Sequence, residues 1–482
     1  MFPIRSLLVI AGLAIALPLI PAAGAEEPIT FTARSGDSVD ALRGTFQVPE
    51  DRSDPGSRMI TLSYVRFPAT GDADGPPIVY LAGGPGGSGS GTAEGPRFEL
   101  FMAMRQHGDV IAFDQRGTGD STRLPRCVSS VQVSETEPVS DADYGDAYRQ
   151  AVEDCGAFWR GEGVAIEGYT TRESVQDISD LRAHLGADTV TLWGISYGSH
   201  LALAALKDIP DEIDRVIIAS AEGLDQTVKM PAYTDAYFAR LQAAVDSQPQ
   251  AAARYPDIAG LMRRVHARLE AEPILLEIPQ QDGSVASVLL QRRHMQEMSS
   301  GLISDPQYAA ILLALYATLD AGETGLAIGL LQRFHTPGEP ISLSAMPTAM
   351  DLASGIGDAR LAEFERQAET GLVGQYLNHP MPQIRGAWNG FDLGDDFRAA
   401  PAGDTPVLLL TGTLDGRTYP EGQTAAVSGL SHVTQVIVRN AGHNLFMTSS
   451  EVHDVMHRFM RNEPVGAEEI IVDLPDFTEL PF

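Results

Sequence analysis

A short run with strand character, Thr189–Trp193, ends in Gly194-Ile195-Ser196-Tyr197-Gly198, and a helix-like stretch, Ser199–Lys207, follows at once. No other feature constrains the fold as much as this strand, G-x-S-x-G turn and helix. The turn is sharp, leaves no room for β-carbons at the glycines, and lifts the serine hydroxyl above the strand ends. Ser196 is therefore a candidate nucleophile. The N–H of Tyr197, at the helix N-terminus, is a candidate donor to a developing oxyanion.

Strand-like runs recur around the motif. Met59–Phe67, Pro77–Leu81, Val110–Phe113 and Arg215–Ala219 lie in the first half, and Pro406–Thr411 and Thr434–Val438 lie late. Several are apolar throughout, as central strands covered on both faces are. Helical patterns separate them; Thr171–Leu185 carries Val175, Ile178, Leu181 and Leu185 on one stripe before Gly186. This alternation predicts an α/β fold with a mostly parallel central sheet. From about Leu224 to Phe397 amphipathic helices take over: Ala232–Val245, Asp257–Ala271, Pro306–Leu319 and Ala359–Thr370, interrupted by one strand-like piece, Ser284–Leu290. The expected organisation is a core in two sequence pieces, 26–223 and 398–482, with a helical cap, 224–397, inserted after the sixth strand. The acidic tail from Glu463 reads as a strap over the surface.

A serine hydroxyl is a weak nucleophile, so a base must take its proton and a carboxylate must orient the base. Past the insertion, the run ending at Thr411 leads into Gly412-Thr413-Leu414-Asp415-Gly416, and Thr434–Val438 leads into Arg439-Asn440-Ala441-Gly442-His443-Asn444. Asp415 and His443 thus follow Ser196 in the order serine, acid, histidine, with room between them for a helix and a strand. His200, on the helix after the serine, and His453 and His457, on the last helix, compete poorly. Upstream, Gly83-Gly84-Pro85-Gly86-Gly87-Ser88-Gly89 follows a strand, and Gly84 N–H, with Gly83 as the alternative, is the second expected oxyanion donor. A phosphate cradle is the rival reading of this run. It lacks the Lys-Ser/Thr ending of a P-loop and the βαβ context of a dinucleotide site.

The N-terminus reads as a leader. Arg5 precedes the apolar stretch Leu7–Ile20, and Ala23-Gly24-Ala25 is an A-x-A site, so cleavage after Ala25 and a secreted or periplasmic location are expected. The apolar stretch is shorter than the roughly 18 residues of a spanning helix, and no membrane insertion is expected after cleavage. Cys127 and Cys155 are the two cysteines, and in an oxidising compartment they should form a disulfide worth about 3 kcal/mol. The chain carries 64 acidic against 34 basic residues, and lysine occurs at Lys207 and Lys229 alone. A formal charge of −30 argues against nucleic-acid binding, which needs clustered cations, and is explained by solubility.

The motifs together resemble a known family. Gly83-Gly84-Pro85-Gly86-Gly87, then Asp114-Gln115-Arg116-Gly117-Thr118-Gly119-Asp120-Ser121, then Gly194-Ile195-Ser196-Tyr197-Gly198 are similar to prolyl and tripeptidyl aminopeptidases of the proline iminopeptidase-like group, which are α/β-hydrolases with a helical cap. Tyr169-Thr170-Thr171 adds to the likeness. Ala82 stands where the family usually has His, and Ser220-Ala221-Glu222-Gly223 where many relatives carry Asp-Gly. The resemblance implies release of residues from peptide N-termini without metal or cofactor. An aminopeptidase must hold a free ammonium, and Glu222, at the mouth of the insertion, is the candidate carboxylate, with a hinge or packing role as the alternative. Asp114 and Arg116 read as an ion-paired turn supporting the oxyanion loop. A carboxylesterase using the same three residues is the second functional reading, so the expected partner is a peptide or a small ester. A catalytically dead binding protein is the third, disfavoured because all three catalytic residue types are in place.

Overall fold

Strands that are apolar on both faces need cover on both sides, and this arrangement organises the chain. The computed structural model describes residues 26–280, 283–466 and 469–481, so the expected leader, 1–25, lies outside the described residues. Ten strands form one sheet: β1 (Glu27–Thr32), β2 (Ser38–Pro49), β3 (Met59–Phe67), β4 (Gly75–Leu81), β5 (Gly108–Asp114), β6 (Val190–Ser196), β7 (Ile213–Ala221), β8 (Val407–Gly412), β9 (Val433–Arg439) and β10 (Glu469–Ile471). Their spatial order is β1-β2-β3-β5-β4-β6-β7-β8-β9-β10. The β1–β2, β2–β3 and β3–β5 pairs are antiparallel, and every pair from β5–β4 to β9–β10 is parallel.

The period of two along each strand divides the core. Leu192, Val216, Ile218 and Leu409 face one side, packed with Val175, Ile178 and Leu181 of the helix Thr171–His184 and Leu201 of the helix Tyr197–Asp208. Trp193, Ile217, Leu408 and Leu410 face the other, against Leu100 and Phe101 of Phe98–Met104 and Val452 and Met456 of Ser450–Met460. Thr170 caps Thr171–His184, its hydroxyl accepting from Glu173 N at 3.3 Å.

Between β7 and β8 the helices Pro231–Asp246, Ile258–Ala271, Arg292–Leu302 and Pro306–Asp320 share a separate core built on Tyr237, Leu241, Val265 and Leu313. Four details differ from the sequence reading. The strand before the insertion is the seventh, because β1 and β2 open the sheet; β2 alternates buried and exposed residues and so lacks the continuous apolar run of a central strand. The strand-like piece, observed as Val285–Leu290, is half of an antiparallel hairpin with Ile274–Pro279. Helix Ala345–Ser354, which the sequence pattern does not mark and which falls in the range given to the insertion, puts Ala345, Met346, Ala349 and Met350 into the core beneath the sheet. The tail first adds β10 to the sheet edge and then runs to the insertion, where Phe477 is buried and its N–H donates to Gln248 Oε1 at 3.1 Å. Cys127 and Cys155 are joined by a disulfide, with both residues buried. Among the described residues no helix is long and apolar enough to cross a membrane.

Candidate active site

The C-terminal ends of the parallel strands β4, β6, β7, β8 and β9 converge, and open α/β sheets bind ligands at such ends. Ser196, the last residue of β6, has φ 55° and ψ −127°, a left-handed backbone that bulky residues avoid. The elbow is forced by close approach: a β-carbon at Gly198 would lie 2.0 Å from Leu81 O. Ser199 secures the turn from below. Its hydroxyl donates to Ser196 O at 2.5 Å and accepts from Glu222 N at 2.9 Å.

His443, in the turn after β9, places Nδ1 3.0 Å from Asp415 Oδ2 and 3.1 Å from Oδ1. Asp415, past the end of β8, is buried and accepts from Arg417 N at 2.8 Å, Thr418 N at 2.9 Å and Thr418 Oγ1 at 2.8 Å. Burial alone would raise its carboxyl; the His443 imidazole and these donors outweigh burial and hold it below the usual carboxylate range. The His443 turn is held by backbone contacts from two sides. His443 N donates to Ser304 O at 2.8 Å, and Ser220 Oγ donates to His443 O at 2.7 Å. Ser220 itself takes a left-handed φ of 51°. Ser196 and His443 line one cleft of about 480 Å³, with Asp415 behind the imidazole. That arrangement can deprotonate a serine hydroxyl and carry its proton to a leaving group. The rival His200 is fully buried, and burial pushes its imidazole below the usual histidine range.

Gly83 and Gly84 line the same cleft, and a β-carbon at Gly83 would come within 3.1 Å of Ser196 Cβ. The glycine loop therefore lies directly on the elbow. Tyr197 sends its ring into the core, its hydroxyl donating to Met350 Sδ at 3.1 Å, which leaves the backbone N–H as its contribution at the helix start. Asp114 and Arg116 do not form the expected ion-paired turn. Asp114 accepts from Ser88 Oγ at 2.7 Å, Ser90 Oγ at 2.7 Å and Asp120 N at 2.9 Å, which ties down the glycine run. Arg116 turns away to Asp177, with both bonds at 2.7 Å, because that buried helix carboxylate meets the guanidinium fork squarely. Gln115 between them donates to Ala82 O at 3.1 Å and supports the loop instead.

Glu222 also lines the cleft, and one of its oxygens is engaged: Lys229 Nζ lies 2.6 Å from Oε2, while Oε1 is 4.0 Å from His200 Nδ1. Nearby, burial and the Glu222 charge push the Asp351 carboxyl up to about 7, with Lys229 opposing. Several participants had no sequence signal. Lys229 and Ser304 reach the site through folds of the insertion, while Arg417 and Thr418, two and three residues after Asp415, could have been found in the acid's own turn.

A family profile described as alpha/beta hydrolase fold matches residues 76–317, half of the sequence. The chain belongs to the α/β-hydrolase fold family. A second profile, described as TAP-like protein, matches residues 392–469 of this α/β-hydrolase, the stretch that holds Asp415 and His443. Among curated proteins the hydrolase is 30% identical over 187 residues to Serine protease Hip1 of Mycobacterium tuberculosis, covering 38% of this chain and 36% of that one. It is 28% identical over 187 residues to Tripeptidyl aminopeptidase of Streptomyces coelicolor, covering 37% and 34% of the two chains. It is 33% identical over 135 residues to Carboxylesterase B of Mycobacterium tuberculosis, covering 26% of each. The matched stretches thus span between about a quarter and little more than a third of these relatives.

Proposed function

We propose that this α/β-hydrolase is an exported serine hydrolase of the aminopeptidase type. Ser196 Oγ attacks the scissile carbonyl as its proton passes to His443 Nε2, and Asp415 holds the imidazole at Nδ1. The N–H groups of Tyr197 and Gly84 receive the oxyanion. Collapse of the tetrahedral intermediate breaks the C–N bond as His443 returns the proton to the leaving amine. Water, deprotonated by His443, then hydrolyses the acyl-enzyme and restores Ser196. The observation that carries this reading is the pairing of a left-handed Ser196 at a strand end with His443 in the same cleft, His443 being 3.0 Å from a buried Asp415. Glu222 Oε1 is the proposed partner of the substrate ammonium, beside the Lys229 pair on Oε2. The leader pattern over 1–25 and the disulfide support export.

The likeness to Carboxylesterase B favours a second reading, an esterase working through the same residues. Chromogenic aminoacyl and tripeptidyl amides, assayed beside their N-acetylated forms and simple esters, separate the two. The aminopeptidase reading expects cleavage of free-amine substrates and rejection of the acetylated ones. Ester turnover with no amide cleavage, or indifference to acetylation, refutes it.

A further inference from the structure

His443 must hand its proton to the leaving group, so whatever leaves sits against the His443 turn. Two arginines line this cleft, Arg97 and Arg417, and Arg417 Nη1 is spent on the carbonyls of Ser300 at 2.8 Å and Leu377 at 3.3 Å. Arg97, the residue before the helix Phe98–Met104, lines the cleft together with Ser196, His443 and Asn444. Its Nη2 donates to Asn444 Oδ1 at 2.5 Å, and Asn444 is the residue after His443. Its Nη1 donates to Tyr80 Oη, and the guanidinium lies over the rings of Tyr80 at 5.9 Å and Phe446 at 5.6 Å. These partners fix the plane of the guanidinium and are all neutral, so the positive charge itself is not neutralised by its hydrogen-bond partners. Lys229, which lines the same cleft, is by contrast matched by Glu222 at 2.6 Å. Arg97 differs from Arg417 in that its acceptors are side chains that themselves line the cleft, Tyr80 and Asn444, rather than backbone carbonyls.

We infer that Arg97 is a specificity-determining residue that binds a carboxylate on the leaving group. A guanidinium held flat by neutral partners presents its remaining N–H donors as a fork, and a carboxylate is the anion that matches a fork. When the scissile bond is a peptide bond, the group released on the His443 side is an amine, and the nearest carboxylate it can carry is its own α-carboxylate. The preferred substrate is therefore a short peptide whose released residue is C-terminal; an acidic side chain on that residue is the other source of the same chemistry. The inference rests on the proposed acylation of Ser196 with His443 as the acid. It adds recognition of the departing end to the ammonium recognition assigned to Glu222.

The test uses matched di- and tetrapeptides that differ in their last group: a free acid, an amide, and an amide whose final residue is aspartate. On the wild-type chain, kcat/KM for the acid should exceed that for the neutral amide by about tenfold, the worth of one charge-assisted hydrogen bond at a half-exposed site. A preference for the aspartyl amide instead assigns the carboxylate to the side chain and equally supports the inference. Arg97→Gln should collapse the ratio toward one, and Arg97→Lys, which keeps the charge without the fork, should retain part of it. A bracing role for Arg97 would slow all three substrates together and leave the ratio unchanged. Equal rates on acid and amides with the wild-type chain overturn the inference while leaving the peptidase reading intact. If no peptide is cleaved, the peptidase reading fails, and esters of 2-hydroxy acids compared with esters of their amides read the charge dependence on their own. A ratio near one there overturns the carboxylate site.

Discussion

Arg116→Met should be among the most destabilising single changes outside the reaction cleft. The guanidinium is fully buried, bonds both oxygens of Asp177 at 2.7 Å, and donates to Glu50 O at 2.8 Å and to Gly168 O. Removing it leaves the buried Asp177 carboxylate with Arg52 at 2.7 Å as its remaining cation, and it strips partners from two carbonyls. Breaking a buried pair from one side costs about 3–5 kcal/mol; because Arg52 stays, the lower end, about 3 kcal/mol, is expected. A double-mutant cycle read by urea unfolding localises the effect. Arg116→Met with Asp177→Asn should show a coupling of about 2 kcal/mol, whereas Arg116→Met with Asp114→Asn should be additive within about 0.5 kcal/mol. Equal unfolding slopes across the set are needed for the midpoints to report stability. Coupling to Asp114 together with additivity at Asp177 would refute the assignment and restore the local ion-paired turn expected from the sequence.

Two further outcomes follow from the geometry. Replacing Cys127 and Cys155 by alanine opens a loop of sequence separation 28 and should cost about 3.6 kcal/mol by chain entropy, seen as a lower urea midpoint; an unchanged midpoint counts against a stabilising bridge. Asp415 titrates below its usual value in the folded chain, so its contribution to stability is complete above the ordinary carboxylate range and is lost as pH falls through the lowered value. Asp415→Asn should therefore flatten the decline in urea midpoint on acidification below about pH 4, and parallel pH profiles for both chains would contradict this.

What the sequence made legible was local or ordered along the chain. The strand, elbow and helix around Ser196 are contiguous, and Asp415 and His443 each follow an apolar run, so their meeting needs nothing beyond parallel strands that end on one side. What escaped depends on distant contacts. Asp177 is 61 residues from Arg116, and no spacing rule links them, whereas Asp114 two residues away offered a nearer and incorrect partner. Glu222 was found as a carboxylate at a strand end, but Lys229 comes to it through a loop that has no period. The edge strands escaped for a different reason: β2 is half solvated and carries polar residues at alternate positions, so it does not stand out as an apolar run.

The proposed mechanism requires Ser196 to be the nucleophile. Treating the wild-type chain and Ser196→Ala with a fluorophosphonate, then locating the adduct by peptide mass mapping, tests this most directly. One adduct is expected, on the peptide that holds Ser196, with both labelling and turnover abolished in Ser196→Ala. An adduct at another residue, or turnover that survives the substitution in a folded chain, contradicts it.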